Sequence, residues 1–272
     1  GHALTLSGDN SATIGNNTLP QVYQRATNTW RALTSAQLQR PLYPRMFVAP
    51  DGRVVDVAPD ATTRALDPSG TGQWSVLASR AGVADRSYGS AALMDGKAIV
   101  VGGGDPPVKN ADIIDLNQVA PAWSSLPAMG VARRHLNATL LPDGTLLVTG
   151  GVSAPGFNNT SGAVFAAELW DPVANKWSTM ASATVPRAYH SSATLLPDGR
   201  VLTTGGNNEF TPEVFSPPYL FKGARPSLTS APTGIVGYGS QFTVQSDQAA
   251  TIAKVTVVRL GSVTHGFDSN QR

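Results

Sequence analysis

Short apolar runs separated by turn-forming residues fill the first four-fifths of the chain. The same step recurs as Pro50-Asp51-Gly52-Arg53-Val54-Val55, Met94-Asp95-Gly96-Lys97-Ala98-Ile99, Pro142-Asp143-Gly144-Thr145-Leu146-Leu147 and Pro197-Asp198-Gly199-Arg200-Val201-Leu202. The turn aspartates lie 44, 48 and 55 residues apart. Asp-Gly between apolar runs predicts a β-hairpin with a two-residue primed turn, since such a turn needs positive φ at its centre. The three later copies close their second run with Gly102-Gly103, Gly150-Gly151 and Gly205-Gly206, and a tryptophan keeps the same period at Trp30, Trp74, Trp123 and Trp177. Each cycle therefore predicts four strands, the last bearing the tryptophan.

Cycles of about 40 to 50 residues holding four short strands predict propeller blades. The di-glycine and the late tryptophan favour the kelch type over WD40, whose Trp-Asp pair is missing. A β-sandwich with regular hairpins is the alternative for the same turns. From Ala224 the cycle stops. Arg225-Pro226-Ser227-Leu228, Gly239-Ser240-Gln241-Phe242-Thr243-Val244 and Ala253-Lys254-Val255-Thr256-Val257-Val258-Arg259 read as strands without tryptophan or di-glycine. Alternation over 254–258 suits a half-buried antiparallel strand. The expected fold is all-β: a partial kelch-type β-propeller of about four and a half blades over 1–223, then the beginning of an immunoglobulin-like β-sandwich over 224–272. Gly1-His2-Ala3-Leu4-Thr5-Leu6-Ser7-Gly8 reads as the second half of a hairpin, so the chain is expected to begin inside a structural unit.

Composition narrows the function. Charged residues make up 14% of the 272, and the net charge is +2. No basic run exceeds Arg133-Arg134, which argues against nucleic acid and anionic membrane as partners. Cysteine is absent, which excludes disulfides, thiolate metal sites and thiol nucleophiles within these residues. No apolar run approaches the roughly 18 residues of a membrane span, and the first residues lack the pattern of a signal peptide.

Against that background the titratable chemistry is concentrated. The chain has four histidines. Two of them stand in Arg187-Ala188-Tyr189-His190 and Thr264-His265-Gly266-Phe267-Asp268. A phenol and two imidazoles supply O and N donors suited to Cu(II), with Fe and Zn as other choices. Neighbouring side chains on a regular strand face opposite ways, so Tyr189 and His190 share an ion only where the strand start bends. With the copies aligned on their turns, His135 matches Tyr189, whereas Leu136, Tyr88 and Tyr43 match His190.

The run Tyr189-His190-Ser191-Ser192-Ala193-Thr194-Leu195-Leu196-Pro197-Asp198-Gly199-Arg200-Val201 resembles the Tyr-His blade of the galactose oxidase and glyoxal oxidase family. Phe215-Ser216-Pro217-Pro218-Tyr219-Leu220-Phe221 is similar to that family's exit from propeller to sandwich, and the segment from Thr264 to its last-ligand loop. The resemblance implies a copper-radical oxidase acting on a primary alcohol, aldehyde or carbohydrate, with O2 reduced to H2O2. It implies Tyr189 as axial ligand and catalytic base, with His190 and His265 as the imidazole ligands. Arg45 falls near a position where the family presents a substrate-binding arginine, and His135, beside the channel in the repeat register, is the other candidate for contact with substrate. The radical cofactor of the family is a tyrosine joined to a cysteine, which this chain cannot build. The resemblance therefore implies a fragment, inactive alone, completed by upstream blades of an extracellular or cell-surface parent. No aromatic stands near Asp9-Asn10, where the family has a stacking tryptophan. The other reading of the same repeats is a non-catalytic kelch-type module that binds a glycan or protein.

Overall fold

The computed structural model describes residues 2–9, 15–206, 208–234, 236–237 and 239–269; Gly1, Asn10 and residues 270–272, used in the sequence reading, lie outside them. The fold is all β. Strands β1 (Ala3–Thr5), β2 (Gln21–Gln24) and β3 (Thr29–Ala32) form a three-stranded sheet. Three four-stranded meanders follow. The first holds β4 (Met46–Val48), β5 (Val54–Asp56), β6 (Thr62–Asp67) and β7 (Gln73–Ser79). The second holds β8 (Ser90–Met94), β9 (Lys97–Val101), β10 (Ala111–Asp115) and β11 (Trp123–Leu126). The third holds β12 (Arg134–Leu140), β13 (Leu146–Val152), β14 (Ala166–Asp171) and β15 (Lys176–Ser182). A three-stranded sheet of β16 (Ser191–Leu195), β17 (Val201–Gly205) and β18 (Glu213–Phe215) completes the series. Pairing is antiparallel throughout, and each sheet takes its strands in chain order, as the blades read from the repeat require.

The turns divide into two kinds. Asp95 and Gly96 have φ of 50° and 77°, the primed turn expected. In the other three copies only the glycine is left-handed: Gly52, Gly144 and Gly199 at 88°, 92° and 89°. There the loop has three residues. Leu141 N–H donates to Thr145 O, and Gly144 N–H donates back to Leu141 O. Proline causes the difference. Pro50, Pro142 and Pro197 set φ for the first position of a type I turn, and the glycine then supplies the left-handed residue of a bulge.

Four arginines repeat with the sheets. Arg40, Arg86, Arg133 and Arg187 are each 2–3% exposed or less, and each meets a carboxylate of its own sheet: Asp56, Asp112, Glu168 and Glu213. The tightest is Arg133 Nη2 to Glu168 Oε1 at 2.5 Å, with both side chains out of solvent. The di-glycines link neighbouring sheets. Gly103 and Gly151 N–H donate to Arg133 O and Arg187 O, one sheet further on. At Gly150, φ is +64° and a Cβ would lie 2.4 Å from Arg187 O. The tryptophans reach backwards. The indole N–H of Trp74, Trp123 and Trp177 donates to Ala36 O, Thr63 Oγ1 and Pro127 O respectively.

The C-terminal segment departs from expectation. None of the three strands read between 225 and 259 forms; a single bridge joins Ser230 and Gln245. Val255 and Val257 are each 71% exposed, so the apolar alternation finds no sheet to cover. What does form is a hairpin, β19 (Val263–Thr264) with β20 (Phe267–Asp268), which packs among the first strands β8, β12 and β16. Phe267 is 8% exposed and sits edge-on to Phe47, ring centroids 5.3 Å apart, in a core shared with Ala91, Leu93 and Val100.

Candidate metal centre

A left-handed aromatic residue stands within three residues of the start of the first strand of each later sheet: Tyr43, Tyr88, His135 and His190, with φ of 56°, 59°, 56° and 65°. A non-glycine residue in this region is uncommon and marks a position the surroundings enforce. Here it breaks the alternation of faces. Tyr189 and His190 consequently lie on the same side, their rings stacked with centroids 3.8 Å apart. The same feature corrects the register. His135 is the counterpart of His190, not of Tyr189, since both stand eight residues before their turn aspartates and both are left-handed.

His265 arrives from the hairpin tip. His265 and Gly266 have φ of 50° and 72°, a primed two-residue turn between Thr264 and Phe267. Gly266 is obligatory because a Cβ there would lie 2.4 Å from Leu136 O. Ser90 donates its hydroxyl to Gly266 O, and Arg45 Nη2 donates to His265 O at 3.3 Å. The tip is thereby fixed against two sheets. Thr264 Oγ1 lies 2.7 Å from His265 Nδ1; with Nδ1–H donated to that oxygen, Nε2 is the nitrogen left for a metal.

The three residues singled out from the sequence meet. His190 and His265 ring centroids are 4.8 Å apart, nearly perpendicular, and Tyr189 is 5.7 Å from His265. Tyr43 stacks on His265, ring centroids 3.6 Å apart. Burial raises the Tyr189 phenol above its ordinary pKa, and the phenols of Tyr43 and Tyr88 raise it further. Burial lowers His265, with His190 and Arg45 adding to the effect, so the ring is held in the neutral form a metal needs.

The two residues expected near substrate are placed differently. His135 is 5% exposed, and its Nε2 contacts Phe157 O. Burial pushes its pKa down to about 4 against the pull of that carbonyl, and its ring lies 5.2 Å from Tyr189. Arg45 lines a cleft of about 320 Å³ with Asn16, Tyr43 and Tyr88, yet it is itself 5% exposed and bonded to main-chain carbonyls. Residues the sequence reading passed over complete the cluster. Tyr88 lies 5.3 Å from Phe157, Phe157 lies 4.8 Å from Tyr189, and the Arg134 guanidinium covers Tyr88 at 4.9 Å. Tyr43 and Tyr88 carried a signal, since both occupy the position of His190 in the repeat. Phe157 carried none, because its loop has no counterpart in the other cycles.

Comparison with known proteins points the same way. The family described as glyoxal oxidase N-terminus matches residues 106–219, and the galactose oxidase-like early set domain matches residues 225–272. Over these two stretches the chain is similar to the galactose oxidase and glyoxal oxidase family. A galactose oxidase of Gibberella zeae is 28% identical over 93% of this chain and 42% of its own length. An aldehyde oxidase GLOX of Vitis pseudoreticulata is 34% identical over 56% of this chain and 33% of its own length. The chain thus spans well under half of these relatives. A fungal alcohol oxidase of the AA5 family, solved in complex with copper, shares the fold over the whole chain with a TM-score of 0.86 at 24% identity.

The donor set fits copper. Among the described residues no group of three His, Cys, Asp or Glu could hold a metal, so a site must draw on phenolate oxygen. Two imidazoles and the phenol of Tyr189, with Tyr43 beside them, give the mixed N and O set that suits tetragonal Cu(II). A cation there reverses the local pKa logic and favours the phenolate that the phenol-rich surroundings now disfavour. The cysteine-linked tyrosine does not fit these residues, because the chain has no cysteine.

Proposed function

We propose that this chain provides the metal-binding part of a copper-dependent oxidase that converts a primary alcohol to an aldehyde, or an aldehyde hydrate to an acid, as O2 becomes H2O2. The observation that carries the reading is the convergence of His190, His265 and Tyr189, within 3.8 to 5.7 Å of one another, from segments 75 residues apart in sequence. His190 and His265 hold the ion through ring nitrogen, and Tyr189 through its phenolic oxygen. Copper supplies one-electron redox chemistry and Lewis acidity at the substrate oxygen.

Tyr189 serves as the base that takes the hydroxyl proton, a role open to it once a cation has lowered its pKa. His135 is neutral at working pH and packs the far side of Tyr189, so it neither competes for that proton nor adds charge. Tyr88 and Phe157 wall the same side with aromatic faces. The second one-electron centre lies outside this sequence, and no step through it is assigned to these residues.

We further propose a secreted parent in which a kelch-type propeller, ending near residue 223, is followed by an immunoglobulin-like sandwich. The relatives' greater length supports a larger parent. Oxygen uptake and peroxide release by the full-length protein, with primary alcohols and aldehydes as substrates, test the activity. Turnover that disappears in Tyr189→Phe supports the proposal. Copper-loaded protein that consumes no oxygen with any member of either class overturns it and leaves a binding module.

A further inference from the structure

Arg45 differs from every other buried arginine of the repeat. Arg40, Arg86, Arg133 and Arg187 each pair with a carboxylate, whereas no carboxylate among the described residues lies within ion-pair distance of Arg45. A buried cation without a counter-ion is costly unless its donors are otherwise satisfied. Here they go to main chain. Nη1 donates to Tyr43 O at 2.7 Å, and Nη2 donates to Gly89 O at 2.7 Å and to His265 O at 3.3 Å. The guanidinium also lies 5.4 Å from the Phe267 ring centroid. The backbone of Arg45 is itself held, its N–H donating to Ala58 O and its carbonyl accepting from Val57 N–H. One planar cation thus ties together the residue that stacks on His265, the strand entry after Tyr88, and both sides of the hairpin tip.

The neighbouring sheet uses the same position for the same purpose. Arg45 and Ser90 each stand two residues after a left-handed tyrosine, and they bind the consecutive carbonyls of His265 and Gly266. A recurring pair of holds on two successive peptide groups fixes where the tip points. An imidazole on that tip inherits the orientation.

We propose that Arg45 is the positioning residue of the metal centre: by holding the main chain at His265 and Tyr43 it aims the His265 imidazole at the ion. This rests on the copper reading above. Arg45 does not contact substrate in this assignment. Its partners are three carbonyls and a ring face. Groups that orient metal ligands typically change affinity about 10- to 100-fold when lost.

Two measurements on the full-length protein test it. Wild type, Arg45→Met, Arg45→Lys and His265→Ala are titrated with Cu(II), and amide hydrogen exchange is followed in the metal-free proteins. Arg45→Met is expected to bind Cu(II) about 10- to 100-fold more weakly, with faster exchange over 263–268 and unchanged exchange in β12 and β13. Arg45→Lys keeps the charge but not the fork, and falls between the two; it also serves if Arg45→Met does not fold. Affinity within twofold of wild type in both Arg45 variants overturns the proposal while leaving the copper reading intact. If His265→Ala binds as tightly as wild type, the copper reading itself fails. Hairpin exchange then decides the clamp alone, and exchange unaltered by Arg45→Met overturns it.

Discussion

Glu168→Ala is the severest single change to the frame that carries the site. Its carboxylate accepts from Arg133 Nη2 at 2.5 Å, from Gly130 N–H at 2.5 Å and from Val131 N–H at 3.3 Å, with the acid 2% and the arginine 0% exposed. Truncation leaves a buried guanidinium with only the Gly150 and Ala166 carbonyls, and two peptide N–H groups without acceptors. Removing one partner of a buried pair costs about 3–5 kcal/mol, because the uncompensated charge stays in low dielectric. For a chain of this size that corresponds to a fall in Tm of roughly 6–20 °C. The assay is thermal and urea unfolding followed by circular dichroism. Glu213→Ala is the internal comparison: Glu213 is 24% exposed and its arginine lies 3.3 Å away, so it should cost distinctly less. Arg133→Met with Glu168→Leu removes both charges and should regain most of the loss. A Glu168→Ala cost below about 1 kcal/mol, as for a surface pair, or a double variant no better than the single, would refute the reasoning.

Other consequences are open to measurement. Gly150→Ala must accept φ of +64° and a Cβ at 2.4 Å from Arg187 O, whereas Gly52→Ala at φ +88° meets nothing within 4 Å. Gly52→Ala should cost about 1–2 kcal/mol and Gly150→Ala clearly more; equal costs in denaturant unfolding would contradict the close approach of the sheets. Burial pushes the Tyr219 phenol up to about 12, so its stabilising effect is whole below pH 10 and is lost as pH rises through 12. Ultraviolet titration should find one phenol ionising near pH 12 that Tyr219→Phe deletes; no late phenol would count against it. Glu213 is lowered overall: burial raises it, but the Thr184 N–H and hydroxyl and the Arg187 charge outweigh that. Its contribution is therefore present above the ordinary carboxylate range and disappears as pH falls below it. Glu213→Gln should flatten the acid limb of a Tm against pH curve, and an unchanged limb would reject the assignment.

The sequence disclosed local devices better than their partners. Asp95-Gly96 named its turn correctly because the torsional demand is local. The prolines at 50, 142 and 197 were equally visible, and they change the loop type for a reason that could have been applied. Tyr189, His190 and His265 were legible through motif and resemblance, but what joins Tyr189 to His190 is a left-handed backbone at residue 190, which no spacing rule reveals. The buried arginines recur at the period of the blades and were open to discovery. Their acids were not, since Asp56 comes from a second strand and Asp112, Glu168 and Glu213 from third strands. The segment 225–259 shows the limit from the other side. Alternation there promises a strand, but a strand needs neighbours, and Val255 and Val257 lie exposed without them.

Cu(II) electron paramagnetic resonance of the full-length protein tests the central claim most directly. A tetragonal spectrum with superhyperfine coupling to two nitrogens is expected, losing one nitrogen in His190→Ala and one in His265→Ala. A spectrum that neither substitution alters would place the ion elsewhere and contradict the account.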